Sequence, residues 1–286
     1  MRFYISLSVF LSSAAALAAS PGGFSLSGSL SSTTTADSSA LIQGLAPAAD
    51  QDIFVTVIKK DTNESIPNSF YGMGPAFSKK IYLPRGAGDY QVLVFGEAAG
   101  KVIPEVLAQF EVKNLDTRDL AFLLPSGSVQ SDSDDILSLA KSITAGLSTD
   151  LERSKKIHDW VASGIRYDLT DERPAMDAVG TLKTQQAQCS GYATLTAALH
   201  RAIGIRAKII EGRADSDGVA AAENDPPHVW NEVLIGSRWV TEDTTFDAGS
   251  VDTRTWKFIP QLSEDYFNPT PAFFGQTHVK TGEKPY

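Results

Sequence analysis

One cysteine stands in 286 residues, so no internal disulfide can staple this chain and no zinc finger can form from it. Long apolar runs are missing beyond the N-terminus, where nothing resembles a stop-transfer segment. Cations are in the minority: 25 Lys and Arg stand against 34 Asp and Glu, a formal net charge of -9. That balance argues against nucleic acid or an anionic membrane as partner. No cofactor motif is expected, and the one segment that invites a metal fails its own test. Asp215-Ser216-Asp217-Gly218 starts like a calcium loop, but the twelfth position, which needs an acidic ligand, is Pro226. A loop before a functional histidine is the better reading. The tail Thr281-Gly282-Glu283-Lys284-Pro285-Tyr286 matches a zinc-finger linker only by coincidence.

What is present begins with an export signal. Met1-Arg2 gives a positive start, Phe3 to Leu17 is apolar but short for a bilayer span, and Ala16-Leu17-Ala18 offers a small-x-small cleavage site. Cleavage near Ala18 predicts a secreted, periplasmic or cell-surface protein with no stable membrane span. No cysteine follows this segment to be acylated. An exported chain normally pairs its thiols, so the unpaired Cys189 is either chemically employed or an oxidation hazard.

Removal of residues 1–18 leaves about 268 residues, more than one core usually organises. Two units follow, at 19–125 and 126–286. The first reads as short strands at Ile53–Ile58, Lys80–Leu83, Tyr90–Phe95 and Gln109–Val112, separated by Gly, Pro, Asn and Asp. An immunoglobulin-like β-sandwich is expected, with Gly86-Ala87-Gly88-Asp89-Tyr90 as a turn leading into a strand through a tyrosine. Ser29 to Ser39 reads as a linker or an edge strand. Beyond Pro125 helical periodicity takes over. Ile136, Leu139, Ala140, Ile143 and Leu147 form one apolar stripe, with Asp132, Asp134 and Asp135 at its positive start. Thr149 and Glu152 form a capping box for a second helix that carries Ile157, Trp160 and Val161 inward and ends near Gly164. The fold class is therefore α+β.

A third helix should start at Cys189 or Ser190, run through Tyr192, Leu195 and Leu199, and stop at Gly204 before a strand at Ile205–Ile210. A thiol in the first turn meets unpaired N–H groups and the positive end of the helix dipole, both of which favour thiolate. His200, three turns on, is too remote to assist it. Next come two alternating runs, Pro227–Ile235 and Arg238–Phe246, joined by Gly236-Ser237, a hairpin signature. With Ile235 opposite Arg238, Trp230 would face Asp243 and His228 would face Thr245. His228, Trp230, Asp243 and Thr245 then share one face, and His228 and Asp243 are diagonal neighbours about 7–8 Å apart at the backbone. Glu232 falls on the same face in a structural role.

The chemistry these residues suit is acyl transfer. Cys189 attacks an acyl carbon, His228 moves the proton, and Asp243 orients the imidazole. The oxyanion would sit on the Cys189 N–H and a second donor, for which Gln188 is the candidate. Gln188-Cys189 with its helix, Gly204-Ile205, His228-Val229-Trp230-Asn231-Glu232-Val233 and Trp239-Val240 leading to Asp243 together resemble the transglutaminase-like superfamily, in its microbial exported form, from about Ile136 to Phe246. The resemblance implies a papain-like core, a helix bearing the cysteine packed on an antiparallel sheet bearing His and Asp. It carries the nucleophile to Cys189, the base to His228 and the orienting acid to Asp243. Ser190 stands where vertebrate transglutaminases have Trp, so glutamine specificity and a calcium requirement are not implied. The expected substrate is a protein, peptide or cell-wall peptide amide, with water or an amine as acceptor. The rival reading is a surface protein that uses the fold as a scaffold. The C-terminal aromatics Trp256, Phe258, Tyr266, Phe267, Phe273 and Phe274 should wrap the core and line the cleft. Asn63-Glu64-Ser65 is a glycosylation acceptor in a eukaryotic host.

Overall fold

The computed structural model describes residues 34–45, 53–70, 76–96, 105–170, 176–215, 225–252 and 254–284. The expected signal segment 1–18 and residues 216–218 of the candidate calcium loop lie outside the described residues.

Alternation of apolar and polar side chains makes the first half a set of strands, β1 (Thr34–Thr35), β2 (Ser39–Leu45), β3 (Ile53–Lys59), β4 (Glu64–Phe70), β5 (Ala76–Tyr82), β6 (Gly88–Gly96) and β7 (Glu105–Asn114). β1, β7, β6, β3 and β4 form one sheet in that spatial order, and β2 pairs with β5 in another. Ile42 and Ile81 of the small sheet share a core with Ile53, Val55, Val57, Val92 and Val94 of the large one. β2 and β4 were not expected. β4 contains Pro67, which weakens its strand signal, and the chain tolerates it because β4 lies at the sheet edge. The Ser/Thr-rich stretch supplies the opposite edge through β1, parallel to β7. At the start of β6 the Tyr90 hydroxyl donates back to the Gly86 carbonyl at 2.8 Å, and the Asn114 amide donates to the same oxygen at 3.0 Å.

The second half is built around one helix. Its elements are α1 (Asp134–Ile143), α2 (Asp150–Gly164), β8 (Arg166–Tyr167), α3 (Ala178–Thr184), β9 (Gln186–Ala187), α4 (Cys189–Ala202), β10 (Ala207–Ala214), β11 (Pro227–Ile235), β12 (Arg238–Glu242), β13 (Gly249–Asp252), β14 (Lys257–Pro260), α5 (Pro271–Phe274) and β15 (His278–Lys284). Every α4 residue from Gly191 to Arg201 is buried, because the four-stranded sheet β12-β11-β10-β15 covers one side and α1, α2 and α3 the others. The Thr149 capping box forms as its spacing dictates.

Two expectations need correction. α1 stops at Ile143, where the Thr144 hydroxyl donates back to the Ala140 carbonyl and Gly146 turns at positive φ, so Leu147 lies outside the helix. Asp132 stands before α1 and accepts the Tyr82 hydroxyl at 3.0 Å, joining the two halves. The tail Thr281 to Lys284, on which no element was expected, forms part of β15, which pairs antiparallel with β10. The short helix α3, capped by Asp177, had no sequence signal of its own.

The β10–β15 pairing holds only because residue 212 has no side chain. A Cβ on Gly212 would lie 2.2 Å from the Val279 carbonyl oxygen and 2.4 Å from the Trp230 ring. Glycine is required there by close approach, beside the register shift between Glu211 and Gly212. Gly212→Ala is therefore expected to cost roughly 3 kcal/mol or more. Thermal unfolding followed by circular dichroism should show Tm lowered by roughly 6–12 °C.

Candidate active site

Parallel pairing of β8 with β9 carries the chain to Gln188, which caps α4, so Cys189 is the first helical residue. The cysteine is partly exposed while the helix behind it is buried. Its position in the first turn leaves N–H groups without helical partners facing the cleft. Gln188 offers its carbonyl to the N–H groups of Gly191 and Tyr192, at 2.9 and 3.2 Å. Its side chain makes no capping hydrogen bond to the helix. Asn231 fastens the helix to the sheet by donating to the carbonyls of Ala193 and Lys208, at 3.1 and 2.9 Å.

His228 is the second residue of β11. The β11–β12 ladder keeps the expected register from Ile235 opposite Arg238 as far as Asn231 opposite Glu242. There it ends, and the extrapolated pairs Trp230–Asp243 and His228–Thr245 do not form. The Asp243 N–H turns away to the Tyr266 carbonyl at 3.0 Å, and Asp243 Oδ1 accepts the N–H groups of Thr245 and Phe246 at 2.9 and 3.0 Å, opening a 3₁₀ turn over Phe246–Ala248. The Asp243 side chain still reaches the histidine, with Oδ2 2.6 Å from His228 Nε2. The Cys189 thiol is close enough to the imidazole to contribute to raising its pKa. Cys189, His228 and Asp243 thus meet at one cleft. Glu232 lies apart, in ion pairs with Lys280 and Lys208 at 3.0 and 3.7 Å.

Burial alone would lower the His228 pKa, but the charge and hydrogen bond of Asp243, with a smaller contribution from Cys189, outweigh it and raise it. Asp243 is the mirror case. Burial would raise its carboxyl, yet the charge and hydrogen bond of His228 and the hydrogen bond of His278 hold it well below the usual carboxylate range. Tyr167 is raised by burial and by the negative charges of Cys189, Asp243 and Asp168, which places its phenol in the field of the site.

All four histidines of the chain are buried, and all four flank two successive carboxylates. His228 and His278 hold Asp243, at 2.6 and 3.1 Å. On the other side of the strand, Glu242 stands 3.3 Å from His158 Nδ1 and 3.5 Å from His200 Nε2. His200 also bonds the Thr196 carbonyl and the Ser154 hydroxyl, the satisfied core residue its remoteness implied. His158 Nε2 lies 2.9 Å from Asp247, which in turn takes the Ser263 hydroxyl and the Tyr266 N–H. Burial lowers His158, but Asp247 and Glu242 outweigh it and carry it up to about 9.

Sequence reasoning missed His278, 35 residues beyond Asp243 in a tail read for its aromatics. Its scarcity was the available signal, as one of only four histidines with an aromatic pair four residues before it. Those aromatics divide in the fold. Tyr266 and Phe274 surround His278, Phe267 packs on His158, and Phe258 enters the core. Trp256 stays 73% exposed at positive φ beside Tyr167 and Gln186, so it lines a cleft without packing.

His228, Asp243 and His278 offer three ligand-type atoms within 4.8 Å of one another. Two ligands on one zinc ion, each about 2.0–2.1 Å from it in tetrahedral geometry, sit about 3.3 Å apart. The 2.6 Å between His228 and Asp243 is the spacing of a charge-assisted hydrogen bond, and the cluster does not fit a metal.

Residues 137–244, which contain Cys189, His228 and Asp243, match the family model of the transglutaminase-like superfamily. The chain carries a transglutaminase-like domain. The human Kyphoscoliosis peptidase is 34% identical over 137 residues, 46% of this chain and 21% of that protein. This chain thus spans about a fifth of the length of the curated relatives it matches. Among solved structures, the periplasmic domain of TgpA from Pseudomonas aeruginosa bound to ethylmercury aligns at TM-score 0.35 and 15% identity, covering 73% of this chain and 72% of that one. Red sea bream transglutaminase aligns at TM-score 0.31 and 14% identity, covering 73% and 48%. The transglutaminase-like domain here has mixed α+β architecture, and no described helix is long and apolar enough to cross a membrane.

The raised histidines make stability depend on pH with a definite sign. A base whose pKa rises on folding contributes fully below its unfolded value of about 6.5 and loses that contribution as pH climbs through the folded value. For His158 that window runs from about 6.5 to about 9. Tm measured by calorimetry should fall across this range, and His158→Asn should flatten the slope while lowering Tm at pH 6.

Proposed function

We propose that this protein is an exported cysteine peptidase or amidase, acting through Cys189, His228 and Asp243 on peptide or cell-wall peptide amides. The observation that carries the reading is one imidazole bonded to a buried carboxylate and lying in the field of the only thiol of the chain, which starts a buried helix. Cys189 gives its proton to His228 and attacks the carbonyl carbon. The oxyanion rests on the Cys189 N–H, with Gln188 as second donor. The imidazolium, kept charged by Asp243, hands its proton to the departing amine, leaving a thioester. Water then gives a proton to His228 and its hydroxyl to the acyl carbon, and the acid leaves as the thiol is restored. The peptidase name of the 34% identical relatives favours water over an amine as acceptor.

Export rests on the Met1 to Ala18 pattern, and the absence of a disulfide leaves the thiol free for chemistry. The division into units at 19–125 and 126–286 is supported by two separate apolar cores, one from Ile42 to Val112 and one from Val129 to Phe258. For the first unit an immunoglobulin-like sandwich is favoured by two facing sheets and by the Tyr90 hydroxyl bonded back to Gly86.

Mass spectrometry of casein and cell-wall peptides incubated with the reduced protein should show hydrolysed amides and, on trapping, an acyl adduct on Cys189. Cys189→Ala should abolish both, and His228→Ala should slow turnover by roughly 10²–10⁴-fold. Incorporation of a labelled amine in place of water would make the protein a cross-linking enzyme. No adduct and no product with any of these would favour the scaffold.

A further inference from the structure

We infer that His278 is a positioning residue of this site, a second imidazole that holds the triad carboxylate in its ionised, oriented form. The inference rests on the nucleophile reading above. Asp243 Oδ2 lies 3.1 Å from His278 Nε2 as well as 2.6 Å from His228 Nε2. A carboxylate only accepts, so both Nε2 atoms carry protons toward it. On its far side His278 Nδ1 lies 2.8 Å from the Thr277 hydroxyl, which in turn stands 3.4 Å from the Tyr266 hydroxyl. The Tyr266 hydroxyl, Thr277 hydroxyl and His278 imidazole form a continuous polar chain whose last link is Nε2–H to the Asp243 carboxylate.

The ring cannot swing out of this bond. Phe274 stacks on it at 4.0 Å between centroids with 14° between planes, and Phe246, Trp230 and Tyr266 close the other sides at 4.5, 5.2 and 5.4 Å. The titratable groups that face it are Asp243, His228 and the Tyr266 phenol. With the Thr245 and Phe246 N–H groups on Oδ1, Asp243 accepts four hydrogen bonds and is fixed in both rotation and charge. Its hydrogen bonds among the described residues go to Thr277 and Asp243, so the effect of His278 on the site passes through Asp243 to His228.

The test compares His278→Phe, which keeps the aromatic stack and loses the donor, with His278→Gln, which keeps an amide donor near the Nε2 position. Iodoacetamide alkylation of Cys189 reads the site without any substrate, so the result stands even if the amide specificity proposed above is wrong. Without the His278 donor Asp243 is free to turn, and a turned carboxylate holds the His228 imidazolium, and with it the Cys189 thiolate, less well. His278→Phe should therefore shift the acid limb of the alkylation profile to higher pH and slow the reaction roughly ten-fold near pH 6, the scale of one hydrogen bond to a charge. His278→Gln should stay within about two-fold of the parent. Nitrogen-15 NMR of the parent should show the His278 proton on Nε2, and this needs no variant to fold. An unchanged profile in His278→Phe, equal damage in both variants, or no proton on His278 Nε2 would overturn the inference.

Discussion

Keeping a buried carboxylate ionised is costly unless donors surround it, and Asp243 is surrounded by them. Its four accepted hydrogen bonds come from the turn after β12, from β11 and from β15, and its own N–H is taken by the Tyr266 segment. Strands that share no local sequence are thus drawn to one point. The position of His228 against Cys189 follows from that convergence, because the histidine is held by its far nitrogen and α4 is pinned to the same strand through Asn231.

The adjacent residue repeats the arrangement with a second pair of histidines. Glu242 lies at ion-pair distance from His158 and His200 as the last residue of β12, and Asp243 sits in the turn that follows, between His228 and His278, so the two carboxylates face different histidines. The Glu242 group joins α2 and α4 to the turn that starts at Asp243, through Asp247 on His158. Packing beneath the site and chemistry within it are therefore linked by electrostatics as well as by apolar contact.

Much of this was legible in the chain, for reasons that differ by residue. Cys189, His228 and Asp243 were readable because helix start, hairpin turn and side-chain alternation are local signals with fixed periods. The capping box at Thr149 is equally local. Where the ladder ends is not local. Asp243 leaves the sheet to meet Tyr266, a contact between segments whose pairing no spacing reveals, and the diagonal geometry was reached by a turn instead of a strand. His278 was hidden for the same reason, since β15 joins β10 from the far end of the chain and the exposed charges of Lys280, Glu283 and Lys284 mask its strand pattern. β4 was obscured by Pro67, and α3 by its brevity.

The route of β15 also orders events during synthesis. Cysteine, first histidine and aspartate are all translated before the strand that delivers the second imidazole and covers β10 beside Trp230. Until the ribosome has passed residue 284, Asp243 lacks one of its donors and the sheet edge next to His228 stays bare. A cleft whose supporting strand is made after its other parts takes its final shape only when that strand docks on β10.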